Sequence, residues 1–153
     1  MSENPERAIK ELLKIEESKP FADNGGFVWR LADGTLHREY GPAVETDSLT
    51  CWYFQGQLHR YDGPASVSKD GDVHWAINNK PHRLDGPAII FKDKGIAEWW
   101  VNGERHRLDG PAVDNFLSFT GSYWIMGKEY SHFWFKIALL KYRIKSFIGS
   151  VYG

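Results

Sequence analysis

Large apolar residues recur along this chain at a nearly constant interval. Trp29, Trp52, Trp75 and Trp99 are followed by Tyr123, and successive members are 23 or 24 residues apart. Two positions after each comes another apolar residue: Leu31, Phe54, Ile77, Val101 and Ile125. Because side chains two positions apart share one face of a β-strand, the pattern predicts strands that bury this double column.

One residue lies between the two members of each apolar pair, and its side chain points to the opposite side of the strand. These residues are Arg30, Tyr53, Ala76, Trp100 and Trp124. Their mixed polarity predicts a face that is open to solvent over part of its length. Trp100 and Trp124 are therefore expected either to be covered by a terminal helix or to form an exposed patch, and exposed apolar patches mark interaction sites.

Polar and small residues repeat with the same period. A motif of the form His-Arg-x-x-Gly-Pro-Ala begins at His37, His59, His82 and His106, in steps of 22, 23 and 24 residues. Turn-forming pairs such as Asn102-Gly103 lie before each histidine and tolerate the positive φ of a tight hairpin. The proline, which lacks a donor, suits the start of a strand. The sequence predicts a mainly β, repetitive antiparallel meander of about 4.5 repeats, each with two strands and two turns, or nine or ten strands in all.

The charged positions of the motif have a structural explanation. Arg60, Arg83 and Arg107 are each followed two residues later by Asp62, Asp85 and Asp109. Each aspartate could pair with an arginine of its own repeat or of the next one. Such a ladder would fix the register between repeats, and each exposed pair would contribute about 0.2–1 kcal/mol. The first copy has Tyr40 in place of the aspartate, and the fifth lacks His-Arg, as terminal repeats that cap a stack often diverge. The histidines are expected to hold the turns by bonding backbone carbonyls.

The two ends of the chain predict helices. Residues 1–20 form the N-terminal docking helix, with Asn4 as cap, Pro5 in the first turn and Pro20 at its end. Residues 132–153 form the C-terminal helix, which follows the array at 21–131. This helix is broadly apolar and basic, with no acidic residue after Glu129. Three roles stay open for it: capping the sheet, packing in a dimer or partner, and lying in a membrane interface.

Composition excludes several classes of protein. The net charge of −1 over 153 residues gives no general attraction to nucleic acid. The single cysteine, Cys51, permits no internal disulfide and suits a reducing compartment. The charged N-terminus has no apolar signal segment, so we expect a cytoplasmic protein.

Catalytic and metal sites find no support in the motif. Equivalent histidines two strands apart would be about 10 Å from each other, too far to share one zinc ion. A His–Asp pair such as His82 with Asp85 recurs in several copies, whereas an enzyme needs one. Phosphate-binding and nucleophile motifs are missing from the sequence. We therefore predict no enzyme activity, no metal and no cofactor.

The motif resembles a repeat known from uncharacterised proteins of large tailed bacteriophages and some bacteria. That repeat reads Trp-x-x-Asn-Gly-x-x-His-Arg-x-Asp-Gly-Pro-Ala and is similar in character to the MORN repeat, a β-hairpin module. The likeness covers residues 27–131, and Gly127-Lys128-Glu129-Tyr130-Ser131 matches the closing motif before a short helix. The resemblance implies a scaffold that binds proteins, in some cases lipid, and acts inside an infected bacterium.

The expected function is a non-enzymatic protein-interaction module that binds or inhibits a host or viral protein. Its predicted anchors are Tyr53, Trp100 and Trp124, with Arg60, Arg83 and Arg107 at the rim. The alternative from another class is membrane association through residues 132–153. An enzyme with an unrecognised site is the third. The two edge strands of a meander also leave homodimer formation open.

Overall fold

A computed structural model describes residues 18–23 and 25–152 of the chain. The strands are β1 (Lys19–Asp23), β2 (Gly26–Arg30), β3 (Val44–Glu45), β4 (Leu49–Cys51), β5 (Tyr53–Phe54), β6 (Gln57–Leu58), β7 (Ser66–Ser68), β8 (Val73–His74), β9 (Ala76–Ile77), β10 (Lys80–Pro81), β11 (Ile89–Phe91), β12 (Ile96–Glu98), β13 (Trp100–Val101), β14 (Glu104–Arg105), β15 (Val113–Asn115), β16 (Thr120–Ile125) and β17 (Lys128–Tyr130). Helix α1 spans His132–Tyr152.

The strands form one long antiparallel meander and a row of small hairpins. The order in the main sheet is β1-β2-β3-β4-β7-β8-β11-β12-β15-β16-β17, and the hairpins are β5-β6, β9-β10 and β13-β14. The mainly β class and the antiparallel meander are confirmed. The prediction of nine or ten strands was too low, because the main sheet alone contains eleven among the described residues.

The hairpins are separate because the chain changes its pairing partner at successive tryptophans. The N–H of Trp75 donates to the carbonyl of Ala88 at 2.7 Å, and its own carbonyl accepts from His82 N–H at 3.1 Å. Trp52 and Trp99 make the equivalent bonds. Each of these residues therefore separates a strand of the main sheet from a strand of the next hairpin.

The most deeply buried residues are the alanines of the Gly-Pro-Ala segment in each repeat. Ala43, Ala65, Ala88 and Ala112 are each 0% exposed. Their backbone bonds join neighbouring repeats: Ala65 N–H donates to the carbonyl of His74, and Ala65 accepts from Trp52. Each alanine is therefore hydrogen-bonded through its backbone to neighbouring segments, and its side chain is fully buried.

The prediction that the tryptophans and the residues two positions after them form the buried face holds only in part, since Ile125 is buried (6% exposed) but most of the other members are not. Trp29, Trp52, Trp75 and Trp99 are only half-buried, and Phe54 in the second apolar column is 44% exposed. Ala76, which was assigned to the opposite and more open face, is 1% exposed. A simple alternation fails here because it assumes an uninterrupted strand through each tryptophan.

Tight turns lie at the predicted residue pairs. Both central residues of the later turns have positive φ, as in Asn102 (53°) and Gly103 (85°). Asn79 occupies a turn position that is glycine in the other repeats. Its side-chain oxygen accepts a 2.7 Å hydrogen bond from Leu58 N–H in the preceding repeat, which glycine could not do.

The structure of the C-terminal end agrees better with the sequence-based prediction than that of the N-terminal end does. Helix α1 begins at His132, and the N–H of Phe135 donates to the carbonyl of Ser131. The predicted N-terminal helix over 1–20 falls mostly outside the described residues. Its last part was wrong, because Lys19 and Pro20 belong to β1, which pairs with β2. No helix in the described part of the chain is both long and apolar enough to span a membrane.

Candidate functional site

The Arg-x-Asp-Gly-Pro segment of each repeat forms a loop held by its own arginine. In the third copy, Arg83 Nε donates to Asp85 Oδ1 at 2.8 Å and Nη1 donates to the carbonyl of Pro87 at 3.3 Å. The guanidinium also lies 4.1 Å from the centre of the Trp75 ring, in cation–π geometry. Arg60 and Arg107 make the same set of contacts with their own repeats.

Of the two expected arginine–aspartate pairings, the structure shows the one within a repeat, so these pairs do not fix the register between repeats. Each pair joins residues two apart within one loop, as Arg60 and Asp62 do. The hydrogen bond from the arginine, together with its charge, lowers the pKa of Asp62, Asp85 and Asp109 below the ordinary aspartate value. The arginine and its partners thus fix the shape of each loop.

The first loop is held differently because Tyr40 occupies the aspartate position. Arg38 still donates to the carbonyl of Pro42 at 3.0 Å and lies 3.8 Å from the Trp29 ring centre. Its nearest carboxylate is that of Glu45, at 3.7 Å. Tyr40 is thereby free to extend from the loop.

The register between repeats is set by the histidine and its neighbours. His82 Nδ1 accepts a 3.1 Å hydrogen bond from Asn102 N–H in the next turn. The residues on either side add two backbone bonds, from Gly103 N–H to the carbonyl of Pro81 and from Arg83 N–H to that of Trp100. The side-chain bond explains the recurrence of histidine after each hairpin.

The same histidine contact recurs in two other repeats. His37 accepts from Gln55 N–H at 3.0 Å, and His106 accepts from Met126 N–H at 3.1 Å. His59 differs, because its Nδ1 lies 2.6 Å from the side-chain oxygen of Asn78, a contact in which the ring N–H donates. The histidines do hold the turns, but the expected partner was wrong, because the ring binds a backbone N–H, or in His59 a side-chain oxygen, and not a backbone carbonyl.

Large apolar side chains extend into solvent from three successive loops. Tyr40 is 82% exposed, Tyr61 is 80% exposed and Leu84 is 79% exposed. Tyr61 and Leu84 occupy the residue between arginine and aspartate, and Tyr40 lies one position later in its loop. We call these three residues the loop row.

A groove of about 990 Å³ lies between the first two of these loops. Its walls include Tyr40, Tyr53, Phe54 and Tyr61. The aromatic rings form a chain, because Phe54 lies 4.8 Å from His37 and 6.2 Å from His59, whose ring meets Tyr61 edge-on at 4.5 Å. The groove is thus lined by aromatic rings together with charged and polar side chains, and we call it the aromatic groove.

The predicted anchors occupy different environments. Tyr53 lines the aromatic groove and is half-buried, and this burial raises the pKa of its hydroxyl. Trp100 and Trp124 are also half-buried, and the Arg105 guanidinium lies 4.9 Å and 5.2 Å from their ring centres. Their indole N–H groups donate to Glu98 and Ser122. The structure therefore brings Tyr53 to the groove but places the two tryptophans around a polar cluster of their own.

The predicted rim arginines are occupied within their loops. The side chains of Arg60, Arg83 and Arg107 are 26%, 23% and 20% exposed. Their donors are bound to an aspartate and a proline carbonyl, so each acts mainly on the loop to which it belongs. Glu98, which pairs with Arg105, has a side chain only 12% exposed.

The loop row was not singled out from the sequence. The available signal was the apolar residue between arginine and aspartate, because a position inside a polar turn motif rarely needs one. Tyr61, Leu84 and Leu108 occupy it in three of the copies.

The residues described by the structure contain no group of three or more metal-ligating side chains. The buried Cys51 is bonded to Ser66 Oγ at 3.3 Å, and its burial raises the pKa of the thiol. The chain matches no protein-family model, no curated protein and no solved structure.

Proposed function

We propose that residues 21–131 are a MORN-like array of about 4.5 repeats that acts as a non-enzymatic, cytoplasmic protein-binding scaffold. The observation that carries the proposal is the loop row beside the aromatic groove. Tyrosine and arginine are frequent among residues that dominate binding energy at interfaces. A partner would insert an apolar side chain into the groove and cover Tyr40 and Tyr61.

The hydrogen bonds that hold the loops should keep the conformational entropy lost on partner binding small. Tyr61 and Leu84 are carried by loops whose arginine is hydrogen-bonded to an aspartate and to a proline carbonyl, as Arg60 is to Asp62 and Pro64. In the loop of Tyr40, Arg38 donates to the carbonyl of Pro42. Surfaces that are ordered before binding lose less conformational freedom when a partner attaches. Such a surface suits a scaffold or an inhibitor.

The biological setting is proposed from the motif alone. Its likeness to repeats of large tailed bacteriophages makes a host or viral protein in an infected bacterium the expected partner. An enzyme is the weaker alternative, because its proposed catalytic His–Asp pair would recur along the array. Edge-to-edge homodimers are a further alternative that size measurement would detect.

The first test is a pull-down from nuclease-treated bacterial lysate with three forms of the full chain. Tyr40→Ser/Tyr61→Ser removes apolar surface from the groove, and Trp100→Ala/Trp124→Ala removes the anchors predicted from sequence. We expect a discrete protein to be retained by the wild type and lost with the tyrosine variant. Purified partner should then bind that variant more than about tenfold more weakly, given the usual loss at interface tyrosines.

A matched control is Phe119→Asn, which removes another exposed aromatic residue, 92% exposed, from the turn between β15 and β16. Because Phe119 has positive φ (54°), asparagine fits its backbone well. This control should bind like the wild type. Equal binding by the tyrosine variant would contradict the groove as the site, and loss with the tryptophan variant alone would move it to Trp100 and Trp124.

A further inference from the structure

Helix α1 has two apolar faces, and only one of them packs on the sheet. Phe135 is 5% exposed, and its ring lies 4.8 Å from that of Tyr123 in β16. Tyr142, two turns further along the same face, lies 5.7 Å from the ring of His106. Because successive helical residues are rotated by about 100°, these side chains define the inner face.

The outer face is apolar as well. It carries Phe133, Leu140 and Ile144, which are 67%, 61% and 51% exposed. On a helix these three fall within about 40° of one another and point away from Phe135 and Tyr142. We call them the outer apolar face of α1.

Positive charge borders this face on both sides. Lys141 and Lys145 lie on one side together with Trp134, which is 59% exposed, and Lys136 and Arg143 lie on the other. All four basic residues are exposed. The sequence has no aspartate or glutamate after Glu129, so no carboxylate of the helix neutralises them.

We propose that the outer apolar face of α1 docks on an anionic lipid surface, with the helix parallel to that surface. An interfacial helix buries an apolar strip at the boundary of headgroups and acyl chains, while flanking lysines and arginines attract anionic headgroups. The tryptophan beside the strip suits the same boundary. This inference does not depend on the proposed protein-binding function, because it uses a different surface.

A second copy of the chain and nucleic acid fit the charge and polarity of this face less well than an anionic lipid surface does. Pairing with a second copy would bring two helices with four cations each, and no anions, into one interface, where like charges oppose association. Nucleic acid would use the cations but would leave the apolar strip in water. An anionic lipid surface accommodates both features.

The test is flotation of the full chain with vesicles of two compositions. One is phosphatidylcholine alone, and the other replaces about one third of it with phosphatidylglycerol. We expect the wild type to float with the anionic vesicles and to remain largely below the neutral ones. High salt should weaken the binding without abolishing it, because the apolar contribution is not screened.

Two double variants separate the contributions. Leu140→Gln/Ile144→Gln should weaken binding to anionic vesicles by more than about tenfold, since two apolar side chains are lost from the strip. Lys141→Gln/Lys145→Gln should weaken it by about fivefold for each lysine and reduce the salt dependence. Glutamine preserves helix propensity, and Phe119→Asn, an exposed aromatic residue outside the helix, should bind like the wild type.

Several outcomes would overturn the lipid proposal. One is a wild-type chain that remains below both kinds of vesicle. Equal flotation with neutral and anionic vesicles, or unchanged flotation of Leu140→Gln/Ile144→Gln, would also contradict it. A dimer seen by light scattering and abolished by that variant would show that a second copy covers the face. Circular dichroism of each variant verifies that α1 is retained.

Discussion

At the scale of single residues, the histidine ring is the part of the motif most sensitive to its chemical state. In His106, Nδ1 accepts a hydrogen bond from the backbone N–H of Met126 in the next turn. A protonated imidazole has no acceptor, so this contact requires the neutral ring with its proton on Nε2. The register between repeats is thus linked to histidine protonation.

The stability of the protein should fall as the medium becomes acidic. Burial lowers the pKa of His106 below its ordinary value of 6.5, although Glu104 opposes the effect. Burial lowers the pKa of His74 as well. A base with a lowered pKa in the folded state binds fewer protons than in the unfolded state, so its stabilising contribution is complete above about pH 6.5 and is lost as the pH falls below it.

Urea unfolding followed between pH 8 and pH 5 measures this dependence directly. His106→Asn keeps a side-chain acceptor but does not titrate, so its free energy of unfolding should change less steeply with pH over this range. The ring of His106 can also be titrated by NMR. A measured pKa at or above 6.5 would contradict the role assigned to burial.

At the scale of the element, the alanine of the Gly-Pro-Ala segment is the most deeply buried position of each repeat. Ala88 donates to the carbonyl of Glu98 and accepts from Trp75 N–H, and its side chain is 0% exposed. Larger side chains have no cavity to enter, since protein interiors are closely packed.

Ala88→Val should therefore destabilise the protein even though valine favours strands. Adding two methyl groups at a filled position typically costs about 1–3 kcal/mol in the free energy of unfolding. The control is Ala22→Val in β1, where the side chain is exposed, and its effect should stay within about 0.5 kcal/mol. Urea midpoints of both variants give the comparison, and equal midpoints would show that the alanine position tolerates a larger residue.

The elements that the sequence predicted are those fixed by local chemistry. The hairpin turns follow from pairs such as Asn102-Gly103, and the start of α1 follows from Ser131 before a long apolar run. The interruption at Trp75 depends on bonds to Ala88 and His82, which no local pattern reveals. For the same reason the sequence assigned the core to tryptophan, and the exposed tyrosines of the candidate site went unrecognised.

At the scale of the whole molecule, the two edges of the main sheet are protected from pairing with another strand by different features. At one edge lies β1, which contains Pro20, a residue without a backbone donor. At the other edge, β17 and its neighbour β16 contact helix α1. Both features reduce the chance that another strand adds to the sheet, which disfavours the edge-paired homodimer.

Helix α1 should unfold together with the sheet, because Phe135 joins the two. Phe135→Ala removes a side chain that is 5% exposed and packs on Tyr123, and we expect a loss of about 3 kcal/mol in the free energy of unfolding. Trp134→Ala is the matched control, because Trp134 is adjacent in sequence and its side chain is 59% exposed. The loss in the free energy of unfolding should stay within about 1 kcal/mol for this variant. Far-ultraviolet circular dichroism and tryptophan fluorescence should give coincident unfolding curves for the wild type. A helix signal lost before the fluorescence change, with equal midpoints for the two variants, would show instead that α1 is only loosely attached to the array.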